Sequence, residues 1–223
     1  NEFLWTKLQG PLVVIDSSFW GFPSLKREEQ TTQKSWRSPL EGHIILWLRM
    51  TTYGNTIWKG VAILTPYAGQ REYLQELDEM QLFIRSGLEL FSIDGVQGRE
   101  KDYVILSMVR ANQLEKGHLS PFLTNRHRFN VALTRARKGM IIIVNSKAYS
   151  SDLSTWNEYL QYAKDKDVLL TQASLVDISE DDQNLHEHEG LLPAPWQRVY
   201  SDEHQLYYYL NEVTHETLWQ PKK

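Results

Sequence analysis

Short, β-branched apolar runs alternate with amphipathic stretches along the first 170 residues, and few folds satisfy that alternation. LVVI at 12–15, VAIL at 61–64 and MIIIV at 140–144 are strand-sized and apolar throughout, as buried parallel strands are. Segments 88–93 and 103–108 read as two more strands on either side of a glycine-bearing connection. Between the strands, Ser38, Pro39 and Glu41 open a helix, with serine as N-cap, proline at the first helical position and glutamate completing a capping box. That helix runs through Ile44, Ile45, Leu48 and Arg49 and stops before Gly54. Residues 70–80 form a second helix with Tyr73, Leu74 and Leu77 on one face; 125–135 and 156–163 give two more. The polar segment that follows Ile15, as far as Arg37, reads as a loop. Strands alternating with helices imply an α/β fold with a parallel sheet and right-handed crossovers. Ligands then gather at the carboxyl ends of the strands.

Chemistry enters with RFNVALTRAR at 128–137. Two arginines sit two apart at the end of a helical stretch, and a buried strand follows. A guanidinium is always charged, and its rigid fork suits phosphate oxygens. The surrounding stretch, 116–151, holds seven basic residues and no acid, the footprint of a phosphate-facing surface. A solvated helix end would explain a lone R-x-R. Here VAILTPYAGQ at 61–70 and SIDGVQGREKDYVILSMVR at 92–110 stand upstream of it.

In this order the three segments resemble motifs IV, V and VI of superfamily 1 helicases, in the branch of the nonsense-mediated decay RNA helicases. The resemblance spans roughly 11–170 and implies the second of two RecA-like domains, a parallel sheet flanked by helices. By this resemblance Arg135 is the arginine finger toward the γ-phosphate of ATP. Glu100 is the motif V acid near the ribose, Gln97 and Gly98 shape its loop, and Arg137 serves the phosphate or braces the interface. Thr65, Pro66, Tyr67, Ser92 and Asp94 approach the backbone of an RNA or DNA strand. Val96 and His127 stand where phenylalanine and arginine are frequent in the family. The chain has no GxxxxGK[ST] loop and no DExx-type box. ATP with Mg is therefore expected to bind jointly with an N-terminal RecA-like domain, and the chain alone to be inactive. It begins with Asn, so it is expected to be a piece of a longer helicase. The alternative is a non-catalytic, helicase-derived scaffold that recruits proline-rich proteins; intact Arg135 and Glu100 speak against it.

The composition changes at about residue 171. Residues 1–170 carry 21 Lys and Arg against 18 Asp and Glu, whereas 171–223 carry 3 against 10. Residues 171–190, with six acids and no Lys or Arg, read as a flexible acidic linker. Its alternating His186, Glu187, His188 and Glu189 are assigned no metal. Residues 191–223 contain LPAPW, YYYLN and THETLWQP, a pattern that resembles a WW domain. The resemblance implies a small all-β, three-stranded sheet. So short a segment needs a compact cluster in place of an ordinary core, and Pro193, Trp196, Tyr209 and Pro221 supply it. Alternation along the strands sends Tyr208, Thr217 and Trp219 to the other face, a slot for proline-rich protein segments. A single residue, Gln220, separates Trp219 from Pro221 where the family usually has two, and Glu212 stands where histidine is common. Ser201, Asp202 and Glu203 offer no arginine, so no phosphoserine reading is expected. The chain has no cysteine, which excludes disulfides and cysteine-held zinc. No membrane span is expected, and the location is expected to be intracellular, cytoplasmic or nuclear.

Overall fold

The computed structural model describes residues 11–20, 25–51, 59–96, 99–112, 125–149, 154–171, 196–201, 206–211 and 217–219. The apolar runs become strands: Leu12–Asp16 (β1), Val61–Thr65 (β4), Glu89–Ser92 (β5), Lys101–Ser107 (β6), Ala136–Val144 (β7) and Leu169–Leu170 (β8). They form one six-stranded sheet in the order β5-β4-β6-β7-β1-β8, and every pair in it is parallel. Glu29–Gln30 (β2) and Trp36–Arg37 (β3) make a separate antiparallel hairpin. The helices are Pro39–Thr51 (α1), Ala68–Glu76 (α2), Asp78–Arg85 (α3), Arg126–Leu133 (α4), Ser146–Tyr149 (α5) and Ser154–Asp165 (α6). This is the expected RecA-like α/β architecture. No helix among the described residues is long and apolar enough to cross a membrane.

Both faces of the sheet are covered, as parallel sheets require. Ala62, Leu64, Val104, Leu106, Met140 and Ile142 point to one face and pack with Phe129 and Ala132 of α4, Tyr149 of α5 and Trp156 of α6. Ile15, Ile63, Ile105, Ile141 and Ile143 point to the other, against Ile44 and Leu48 of α1, Leu74 of α2, and Met80 and Phe83 of α3. A one-residue slip of any central strand would exchange these sets, so burial fixes the register. Phe129, Tyr149 and Trp156 meet at centroid distances of 4.4 and 5.2 Å, which clamps α4 to α6.

Several local expectations change. Ser38 caps α1 by accepting from Glu41 N at 3.1 Å, but the reciprocal half of the capping box is missing. Ser38 N donates instead to Gln70 Oε1 at 2.7 Å. The Glu41 carboxyl turns inward, where it accepts from Ser107 Oγ at 2.6 Å and Val109 N at 2.9 Å. Val109 needs that partner because it sits at φ 69° and has left the ladder. The helix expected over 70–80 is two helices. Leu77 adopts an extended conformation (φ −72°, ψ 125°), and the change of axis lets both Met80 and Phe83 reach the core. The loop expected before Arg37 contains the β2–β3 hairpin. β6 and β7 begin earlier than their apolar cores, at Lys101 and Ala136, and α4 ends at Leu133 rather than Arg135.

The C-terminal segment forms its own sheet from Trp196–Ser201 (β9), Leu206–Asn211 (β10) and Thr217–Trp219 (β11), antiparallel in the order β11-β10-β9. The three-stranded WW fold is therefore present. Pro193, Glu212 and Pro221 lie outside the described residues, as does the whole acidic stretch from 172 on.

Burial pushes the Glu41 carboxyl up to about 8, partly offset by its bonds from Ser107 and Val109. Burial also lowers the His43 imidazole to about 4. Between 4.5 and 8 the fold holds a proton on Glu41 that the unfolded chain lacks, so stability falls as pH rises through that window. Between 6.5 and 4 the unfolded chain holds a proton on His43 that the fold lacks, so stability falls as pH drops. The two slopes cancel where the windows overlap. Urea unfolding across pH should therefore show a plateau between about 4.5 and 6.5 and a decline above it. Glu41→Gln should remove the alkaline decline; Glu41→Ala, which strands Val109 N, should cost about 2–4 kcal/mol at the plateau. A decline that persists in Glu41→Gln would assign it to another group.

Candidate functional site

The sequence-predicted residues gather at two opposite ends of the sheet. At the carboxyl end, Ile93 N donates to Thr65 O at 3.2 Å, which ties the turn after β4 to the turn after β5. Thr65 is 1% exposed and its hydroxyl accepts from Tyr67 N at 3.3 Å, so its side chain shapes the turn from inside. Tyr67 is also buried, and Pro66 and Ser92 are half-buried. Ser92 Oγ accepts from Gly95 N at 3.1 Å. Asp94 is the exposed member, and Arg128 of α4 pairs with it at 3.3 Å. Thr65 and Tyr67 thus present backbone and shape rather than free side chains.

Glu100, Arg135 and Arg137 lie at the other end, where β6 and β7 begin. Ligands are expected at the carboxyl ends of the strands, and these three candidates stand at the amino ends instead. The cause is the direction of α4, which runs antiparallel to the strands. Its first turn, capped by Asn125 Oδ1 accepting from His127 N and Arg128 N, lies beside Asp94. Its last turn delivers Thr134 and Arg135 to the amino end, where Lys101 N donates to Arg135 O at 2.9 Å. Gln97 and Gly98 lie outside the described residues.

A bulge shapes this end. Lys101 pairs with Ala136 and Tyr103 with Gly139, so β7 carries one residue more than β6 across the same step. An extra residue breaks the alternation of side chains and re-aims them. Arg137 and Lys138 are consequently both exposed, and each takes a carboxylate from β6 or the residue before it. Arg137 pairs with Glu100 at 3.3 Å and Lys138 with Asp102 at 2.7 Å. The Lys138 hydrogen bond holds Asp102 below the usual carboxylate range, and Asp102 in turn raises Lys138. Arg99 stacks near Phe91 at 5.6 Å.

Arg135 is handled differently. It is half-buried; Nε donates to Val131 O at 2.9 Å and Nη2 to Thr134 Oγ1 at 3.1 Å. Among the described residues it has no carboxylate partner, whereas Arg128, Arg137 and Lys138 all have one. Its charge is held by neutral acceptors at the end of its own helix. Sequence reasoning missed Asp102 and Lys138. The adjacent basic pair Arg137 and Lys138, at odds with strict alternation in a strand, was the available signal of a bulge.

In the C-terminal sheet the register pairs Tyr208 with Trp219 and Leu210 with Thr217. Cross-strand partners share a face, so the backbone is compatible with the expected peptide slot.

Comparison with known proteins agrees with these two units. A family model described as an AAA domain matches residues 2–147, and one described as a WW domain matches residues 192–221. The regulator of nonsense transcripts 1 of Dictyostelium discoideum is 40% identical over 146 residues, 61% of this chain and 11% of the relative. The ATP-dependent helicase NAM7 of Saccharomyces cerevisiae is 38% identical over 116 residues, 49% of this chain and 10% of the relative. The ATP-dependent helicase upf1 of Schizosaccharomyces pombe is 31% identical over 179 residues, 76% of this chain and 18% of the relative. The chain therefore spans less than a fifth of the length of each of these relatives.

Asn125 caps α4 by accepting from His127 N and Arg128 N. Asn125→Ala should lower the unfolding free energy by about 1 kcal/mol, and Asn125→Asp, which keeps the acceptor, by much less. Equal losses in urea unfolding would show that the cap hydrogen bonds are not what holds the helix start.

Proposed function

We propose, on the premise that this chain belongs to the AAA-domain helicase family and carries a WW domain, that it is the second RecA-like half of an ATP-dependent helicase. In this reading residues 1–170 form the motor half, 171–190 a flexible acidic tether and 191–223 the WW module. The observation that carries it is the guanidinium of Arg135, which among the described residues meets only neutral acceptors, while its neighbours Arg137 and Lys138 each pair with a carboxylate. Among the described residues, an anion drawn to Arg135 meets a charge that no carboxylate offsets. A γ-phosphate held by the first RecA-like domain would fill the gap, and Arg135 would stabilise the charge that builds on it during transfer. Glu100 and Asp102 are already matched by Arg137 and Lys138, so this half brings cations and leaves magnesium to the other domain. Magnesium supplies charge neutralisation on the phosphates when bound. Arg137, held by Glu100, braces the finger's surroundings, and Gln97 and Gly98 complete the nucleotide-binding set by the family resemblance.

At the carboxyl end, the turns holding Thr65, Pro66, Tyr67, Ser92 and Asp94 would follow the backbone of an RNA or DNA strand. Backbone contacts carry affinity without sequence preference. The pairing of Tyr208 with Trp219 supports a proline-rich partner on the WW sheet. Such a partner would be kept near the motor by the tether.

The purified chain should hydrolyse no ATP. In the polypeptide that carries both RecA-like domains, Arg135→Ala should cut ATP turnover by roughly 10³-fold, and Arg135→Lys should not restore it. Turnover within a few-fold of the unmodified protein would remove the finger assignment. For the WW module, titration of a proline-rich peptide should change tryptophan fluorescence, and Tyr208→Ala should weaken binding at least tenfold. No response from the unmodified chain would remove the peptide-binding role.

A further inference from the structure

We propose that the tip of the β2–β3 hairpin, centred on Lys34, is a ledge that binds the backbone of a single-stranded nucleic acid; this rests on the nucleic-acid reading above and extends it to a segment outside the three motifs. The hairpin is fixed to the turn that follows β4. Ser35 Oγ accepts from Gly69 N at 2.9 Å, so a hairpin side chain caps the start of α2. The approach leaves no room: a Cβ on Gly69 would come within 2.7 Å of Thr31 Cγ2 and 3.0 Å of Trp36 O. On its other side the hairpin is pinned by Arg110, whose guanidinium lies 4.1 Å from the Trp36 ring centroid while its Nε pairs with Glu28 at 3.0 Å. The ledge is therefore a rigid continuation of the 65–70 turn.

The tip is equally constrained. Thr31 N donates to Ser35 O at 2.8 Å, Lys34 N to Thr31 O at 2.9 Å, and Ser35 N to Thr31 Oγ1 at 3.1 Å. These bonds hold Lys34 at φ 61°, a left-handed conformation that favours glycine, and leave its side chain exposed. The charges are sorted. The two acids of this region are engaged behind the tip, Glu28 with Arg110, and Glu29 with Lys26 at 2.8 Å and Arg37 at 2.7 Å. From Gln30 to Ser38 the sequence has no acid. What faces outward is Thr32, Gln33 and Lys34: hydroxyl, amide and ammonium donors with nothing to repel a phosphate. That chemistry fits a sugar–phosphate backbone and reads no bases.

The test is fluorescence anisotropy of this chain with a labelled single-stranded oligouridylate across a salt series. Lys34→Gly removes the charge and suits the backbone conformation, so its thermal midpoint should equal or exceed that of the unmodified chain. Its affinity should fall about threefold to tenfold, and the slope of log K against log salt should shallow by about 0.7, the loss of one phosphate contact. Gln33→Glu, which leaves the backbone unstrained, should weaken binding most at low salt. If the unmodified chain binds and both variants bind equally with the same slope, the ledge is wrong and the nucleic-acid reading stands. If the unmodified chain fails to bind at low salt, that reading falls and the ledge falls with it. Oligothymidylate in parallel separates RNA from DNA.

Discussion

The parallel ladder between β6 and β7 is the interaction on which the rest of the domain depends. It joins the two halves of the sheet, β5-β4-β6 and β7-β1-β8, through six paired positions. Because it is parallel and central, neither face can meet water, and helices cover it on both sides. Because consecutive parallel strands need crossovers, each helix returns the chain to the opposite end of the sheet. The same necessity runs α4 from the Asp94 end to the Glu100 end. One nine-residue strand thus anchors the core at its apolar half, and through its bulge it sets the charged surface at its start.

Charge is treated in three distinct ways. At the amino end, Arg137 and Lys138 are matched one to one with acids in solvent, where such pairs add little stability but cancel the local field. In the interior, Glu41 is kept by hydrogen bonds and by giving up its charge. Arg135 belongs to neither class: among the described residues its guanidinium meets a carbonyl and a hydroxyl. The hairpin follows the same economy, with its acids engaged behind it and its donors facing out.

Much of this architecture was legible in the residues. LVVI, VAIL and MIIIV could only be buried strands, and the Ser-Pro start of α1 could only be a helix entrance. The three helicase-like segments named the family. What could not be read were features decided across long separations. Glu41 looked like half of a local capping box because Ser38 lies three residues away; its true partners, Ser107 and Val109, lie far along the chain. The break at Leu77 answers to the position of Met80 and Phe83 in the core, not to helix propensity. The hairpin at 29–37 is too short and polar to announce itself, and it exists because Trp36 and Ser35 find Arg110 and Gly69. Arg135 stands at the strand's start because α4 runs antiparallel to the strands and ends where β7 begins.

The guanidinium of Arg135 is also the last hydrogen-bond donor on its own helix. With Nε on Val131 O and Nη2 on Thr134 Oγ1, it binds back to one carbonyl and one hydroxyl of the last turn. Moving it toward any visiting anion unlatches that final turn, at about 1 kcal/mol per bond surrendered. The far end of the same rod is clasped by Arg128 to Asp94. α4 is thus fastened at both rims of the sheet, by Arg128 at its first turn and by Lys101 N on Arg135 O at its last.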